Sequence, residues 1–178
     1  MRMKTSDIDL AMAAAGGDSD AFAALLERSY DRLFALCFRL TGSQFEAEDL
    51  CQDICAALPA KLAKFEGGSS FSTWLYRVAV NASHDRRRRA ATRAKASQGW
   101  GDWEVQRTEA NKEQAEAQNW LMHAIGTLPD DLRDTVALVM DDMNHREVGD
   151  VLGISEGTVS WRMSEVKKHL KRIKENDQ

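Results

Sequence analysis

Apolar residues recur at spacings of three and four along most of this chain, and the breaks between runs fall on glycine, serine and proline. That period is the signature of amphipathic helices. A short first helix is predicted over residues 7–15, ended by Gly16-Gly17. Asp18 or Ser19 is placed to cap the next one. Phe22, Leu25, Leu26, Leu33, Leu36, Cys37 and Leu40 form its apolar face, which ends near Gly42. Ser43, with Glu46 three residues on, predicts a capping box. Ala47, Leu50, Cys51, Ile54, Cys55, Leu58 and Leu62 make the face of this third helix. Pro59 lies inside it and predicts a kink or an early end. After the loop from Glu66 to Ser70, Phe71, Trp74, Leu75, Val78 and Ala82 form the inner face of a fourth helix. It runs into Arg86, Arg87, Arg88 and Arg89.

Periodicity is lost over residues 96–111, which mix Gly, Ser, Gln and charges; this stretch is expected to be a linker. Trp100 and Trp103 within it are large apolar groups for a free tether, so a docking site is expected there. A second helical unit begins near Asn111. Trp120, Leu121, Ile125 and Leu128 mark one helix. Pro129 is suited to the start of the next, whose face is Val136, Val139 and Met140.

The expected architecture is therefore all-α. It has two small helical domains, residues 1–95 and 112–178, joined by the linker 96–111, and the second domain ends in a helix-turn-helix. Val148, Val151 and Leu152 form the first, short helix of that motif. Gly153 supplies the left-handed turn residue, Ile154 the anchor and Ser155 the next cap. Val159, Met163, Val166, Leu170 and Ile173 then recur on the second helix. Its outward residues include Glu156, Thr158, Ser160, Trp161, Arg162, Lys167 and Lys168. The early ones suit base edges in a major groove, and the later lysines suit phosphates.

Charge sharpens this picture. The formal net charge is −4 over 178 residues. By segment the balance is −4 over residues 1–66, +6 over 67–98, −8 over 99–153 and +2 over 154–178. Two separated basic surfaces on an acidic background suit two localised phosphate contacts rather than general polyanion coating. In the first of them, Arg93 and Lys95 extend the arginine run. Asn81 and Asp85 lie one helical turn apart just upstream. The loop before them carries Ser69, Ser70, Ser72 and Thr73 beside Phe71, Trp74 and Tyr76. An aromatic, hydroxyl-rich loop next to a basic helix suits unstacked single-stranded bases. For Phe71 and Trp74, core packing is the favoured role.

The segment AEDLCQDICAALPAKLAKFEGGSSFSTWLYRVAVNASHDRRRR, Ala47 to Arg89, resembles the second conserved region of extracytoplasmic-function (ECF) sigma factors of the sigma-70 family. LPDDLRDTVALV and REVGDVLGISEGTVSWRM resemble their fourth region. The resemblance implies a protein that binds core RNA polymerase, directs it to promoter DNA and answers to an anti-sigma factor. It implies contact with minus-ten DNA by Asn81, Asp85 and the Arg86–Arg89 run, with Ser69, Ser70, Ser72 and Thr73 around a flipped base. It places Asp49, Gln52 and Asp53 on the polymerase-binding helix, and Thr158, Ser160, Trp161 and Arg162 at the minus-thirty-five element. The chain departs from the family's pattern at Pro59, where relatives often carry Trp. It departs again in the second helix of the motif, where Glu165-Val166-Lys167 replaces a commoner Arg-Ala-Arg.

Two other readings compete. A stand-alone helix-turn-helix regulator accounts for Asn144–Lys174 but leaves Ala47–Arg89 unexplained. A metal or redox sensor would use Cys51, Cys55 and His84, yet both cysteines sit on an apolar face where buried thiols are common. Catalytic, metal and cofactor sites are not expected, since nucleophile, base and orienter do not assemble as a motif. No run of about 18 apolar residues occurs, so no membrane insertion is expected. The N-terminal stretch, interrupted by Asp7 and Asp9, does not read as a secretory signal. A reduced, cytoplasmic protein is the expectation.

Overall fold

The computed structural model describes residues 5–96 and 116–176, and among these every regular element is a helix. The linker expected at 96–111, with Trp100 and Trp103, lies outside the described residues except for Ala96. Helix α1 spans Asp7–Ala15 and α2 Ser19–Thr41. Asp18 caps α2 by accepting from the amides of Asp20 and Ala21, and Gly42 ends it at φ 72°. Helix α3 spans Gln44–Leu62. Only half of the expected capping box forms there. Ser43 accepts from the Glu46 amide, but the Glu46 carboxylate turns to Arg86 instead. Pro59 does not end α3, which runs three residues further.

Helix α4, Phe71–Ala96, is about 39 Å long at 1.5 Å per residue. Its buried side is wider than its apolar pattern indicates. Tyr76, Ala79, Val80 and Ser83 are buried as well as Phe71 and Leu75, because α4 packs on α2 and α3 and also on the helix-turn-helix. Trp74 is half-buried and meets Phe65 edge-on and Phe71 at a tilt, ring centroids 5.3 and 5.8 Å away. Core packing therefore accounts for both aromatics.

The C-terminal helices are α5 (Glu116–Gly126), α6 (Asp130–Val139), α7 (His145–Leu152) and α8 (Glu156–Asn176). Pro129 occupies the cap position of α6, one residue before its first turn. Met140 does not join the apolar face, since it falls past the helix end and is exposed. Asn144 and Glu147 form a complete capping box on α7, and Gly153 at φ 69° makes the turn. Ser155 accepts from the Thr158 amide to start α8. Gly149 is needed for a different reason. A Cβ there would stand 2.7 Å from the Ile154 carbonyl oxygen, so the two helices of the motif close only over a bare Cα.

The main core runs without a break from Ala11, Leu36, Leu50 and Leu75 of the first four helices into Leu138, Val148 and Val151 of the C-terminal ones. A smaller cluster, with Ile125, Leu128, Leu132, Val136 and Val166, holds α5, α6 and α8 together. The two helical parts are thus packed face to face. No described helix is long and apolar enough to cross a membrane.

Candidate nucleic-acid interface

The loop before α4 is tied down by its own hydroxyls. The Ser70 hydroxyl accepts from the Thr73 amide at 3.1 Å and bonds its hydroxyl at 2.9 Å, which caps the helix. Thr73 is buried, while Ser69 and Ser72 are half-buried. This loop lines an open cleft of about 700 Å³ with Trp74 and Arg77 on one wall and Glu147 and Asp150 of α7 on the other.

The four arginines that follow have four different surroundings. Arg86 points back to α3, where Glu46 at 3.0 Å, Asp49 at 3.3 Å and Asp53 at 3.7 Å surround its guanidinium. It links α3 to α4, so it does not project with Arg88 and Arg89. Arg87 points to α6. Its Nη2 lies 2.9 Å from both carboxylate oxygens of Asp134, and its Nη1 lies 3.0 Å from Asp130. Among the described residues Arg88 pairs with its helical neighbour Asp85 alone and is largely exposed, as is Arg89. Asn81 and Asp85 are exposed on the same helix. The exposed stripe on α4 is therefore Asn81, Asp85, Arg88 and Arg89.

On α3, Gln52 and Asp53 are exposed and Asp49 is half-buried. On α8, Glu156, Ser160, Trp161, Lys167 and Lys168 are exposed, with 59% of Trp161 accessible. The Ser160 hydroxyl meets His145 Nδ1 at 2.9 Å, across the motif. Thr158 is half-buried beside Ser155. Arg162 does not face outward as expected. It turns toward α6, 3.6 Å from Asp131 and 3.5 Å from the Thr135 hydroxyl.

The sequence reading missed a second set of charges. Asp134 lies on α6 and Asp141 two residues past its end. Asp134 is 2% exposed and takes both Arg87 and His84, the latter at 2.6 Å. Asp141 takes Arg39 at 3.0 Å, Arg32 at 2.9 Å and the Tyr76 hydroxyl. Arg77 adds a 2.7 Å bond to the Asp150 carbonyl. Burial above all, then the bond to Asp141, raises the Tyr76 phenol above its ordinary range. A signal existed in the sequence, since Asp134 lies between Leu132 and the apolar run from Val136 to Val139. A carboxylate at such a position needs a buried partner.

His84 is thus engaged with Asp134 rather than with thiols. Cys37 and Cys51 are buried and Cys55 is half-buried. Hydrogen bonding from Cys37 pulls the Cys51 thiol down, and the same bond, with burial, pushes Cys37 up.

Comparison with known proteins agrees with this architecture. Residues 25–93 match the Sigma-70 region 2 family and residues 118–172 match the Sigma-70 region 4 family. The chain is 32% identical to the ECF RNA polymerase sigma factor SigW of Bacillus subtilis (strain 168), over 88% of this chain and 90% of SigW. It is 30% identical to the ECF RNA polymerase sigma factor SigM of Mycobacterium tuberculosis (strain ATCC 25618 / H37Rv), over 97% of this chain and 86% of SigM. Among solved structures it is similar in fold to CnrH in complex with the cytosolic domain of CnrY, with a TM-score of 0.72 and 24% identity, over 98% of this chain and 100% of that one. It is also similar to the sigma factor RpoE in complex with the anti-sigma factor NepR from Bartonella quintana, with a TM-score of 0.71 and 24% identity, over 88% of this chain and 98% of that one. The protein is a transcription-initiation factor of the sigma-70 type. Within that type it belongs to the ECF RNA polymerase sigma factors.

Proposed function

We propose that the chain binds core RNA polymerase through Asp49, Gln52 and Asp53 of α3 and delivers it to promoters read at two elements. Asn81, Asp85, Arg87, Arg88 and Arg89 of α4, with the loop from Ser69 to Thr73, take the minus-ten strand. Glu156, Thr158, Ser160, Trp161, Lys167 and Lys168 take the minus-thirty-five element. Arg86 and Arg162 are assigned a supporting role, holding α3 to α4 and α8 to α6. The division of labour places the first unit at residues 1–95 and the second at 112–178.

One observation carries this reading. A hydroxyl-capped loop opens directly onto an exposed Asn-Asp-Arg-Arg stripe, while the adjacent helix presents a separate acidic face. A lone helix-turn-helix regulator has no use for that arrangement. Each DNA-reading surface is small, so each binds weakly by itself. The pair becomes effective only when polymerase fixes its spacing. The chain acts as a cytoplasmic specificity subunit and not as a catalyst. The solved RpoE captured with the anti-sigma factor NepR supports a regulatory protein of the anti-sigma kind as a third partner.

Run-off transcription on a library of promoter fragments, with purified chain and core polymerase separately and together, tests the reading. Initiation at selected promoters only with both present is the expected result. Tight, sequence-specific duplex binding by the chain alone would overturn it in favour of a stand-alone regulator.

A further inference from the structure

We propose that Arg86, although carried on the DNA-reading helix, is a positioning residue for polymerase: it holds the carboxylates of Asp49 and Asp53 in the arrangement that core polymerase takes. The proposal rests on the assignment of α3 to polymerase made above.

Arg86 follows the buried Ala79 and Ser83 of α4 at helical spacings of seven and three, so it continues their side of the helix. Its guanidinium is used in a graded way. Nε donates to Glu46 at 3.0 Å, Nη2 donates to Asp49 at 3.3 Å, and Nη1 lies 3.7 Å from Asp53. The tightest contact fixes the arginine, and the two looser ones orient carboxylates without closing them off. The side chains of Asp49 and Asp53 remain 44% and 76% exposed, which leaves each open to a partner. The unmade half of the α3 capping box has the same explanation. The Glu46 carboxylate stands where it could bond the cap amide, yet it is committed to Arg86.

Glu46, Asp49 and Asp53 follow one another at spacings of three and four, so they share one side of α3. Like charges at those spacings repel. A cation among them lets three carboxylates occupy one face in fixed positions. Fixed side chains favour binding, because less freedom is lost when the partner arrives. Charge alone gives the opposite sign. Arg86 is a cation on an acidic face, so its removal strengthens the attraction of that face for a basic partner. The two effects act on different rates. Attraction governs association, and well-placed contacts govern dissociation. The rates therefore tell a positioning role from a simple charge effect.

The test measures association and dissociation of the full chain with core polymerase on a sensor surface, over a salt series. Arg86→Ala is expected to dissociate about fivefold faster, from the freedom regained by two side chains, while its association at low salt equals or exceeds the parent's. Arg86→Lys keeps the charge and loses the fork, so its dissociation should fall between the two. Asp49→Asn plus Asp53→Asn should itself weaken binding, and adding Arg86→Ala to that pair should change dissociation little further. Melting curves check that each variant is folded. Unchanged or slower dissociation of folded Arg86→Ala overturns the proposal. So does an effect that persists undiminished beside the two Asn substitutions, which would make Arg86 a plain strut between helices. If Arg86→Ala fails to fold, Arg86→Lys decides, and dissociation at the parent's rate overturns the proposal. Parent-like polymerase binding by the Asn pair overturns the assignment of α3 to polymerase and the positioning role with it. Weak binding by the Asn pair beside parent-like rates for Arg86→Ala overturns the positioning role alone.

Discussion

Arg87 and Asp134, 47 residues apart in sequence, meet with both carboxylate oxygens 2.9 Å from one guanidinium nitrogen. The pair joins the helix expected to read minus-ten DNA to the helix that supports the recognition motif. An arginine that looks like one of four equals in sequence is therefore distinct in space from its neighbours Arg86, Arg88 and Arg89.

Arg88→Ala and Arg87→Ala should both reduce promoter opening, and their combination should flatten its salt dependence. Each phosphate contact removed lowers the slope of log affinity against log salt by about one. Run-off transcription with core polymerase over a salt series measures this. A slope unchanged in the double variant would remove both residues from the DNA surface.

Trp161 and Arg162 are adjacent but should fail differently. Trp161 is exposed and makes its contribution outward, so Trp161→Ala should leave the thermal midpoint unchanged and weaken only templates that carry the upstream element. Arg162 is anchored at Asp131 and Thr135, so Arg162→Ala should lose about 1 kcal/mol of stability as well. Melting curves beside transcription on templates with and without the element separate the two effects.

Gly149→Ala should be far more damaging than its small size suggests. The new Cβ meets a backbone oxygen at 2.7 Å, which no side-chain rotation relieves. A cost of about 2–3 kcal/mol is expected from such overpacking. Urea unfolding measures it, and a loss below about 0.5 kcal/mol would show that the motif opens without strain.

The phenol of Tyr76 has its pKa raised by burial and by Asp141. A raised acid favours its neutral form in the folded state. Its contribution to stability is therefore complete below the ordinary phenol value of about 10 and is lost as pH rises through the raised one. Denaturant titrations from neutral to strongly alkaline pH should show a decline on the alkaline side that is smaller in Tyr76→Phe. Equal declines in both proteins would remove Tyr76 from the linkage.

Much of the fold was legible because helices are local. The period of Leu25, Leu33, Leu36 and Leu40, the caps at Asp18, Ser43 and Ser155, and the glycines at 42 and 153 each act within a few residues. The family could be recognised for a related reason, since its loop and turn chemistry is written in contiguous residues from Ser69 to Arg89 and from Gly149 to Arg162. Which way a charged side chain points is not local. Glu46 left its capping box for Arg86, Arg162 turned inward to Asp131, and Arg87 found Asp134, each through a partner that the chain brings close only by folding. Sequence alone thus determined the helices, the motif and the family. The tertiary structure decided which arginines are free to meet DNA, because a long cationic side chain settles on whichever carboxylate the packing sets within reach.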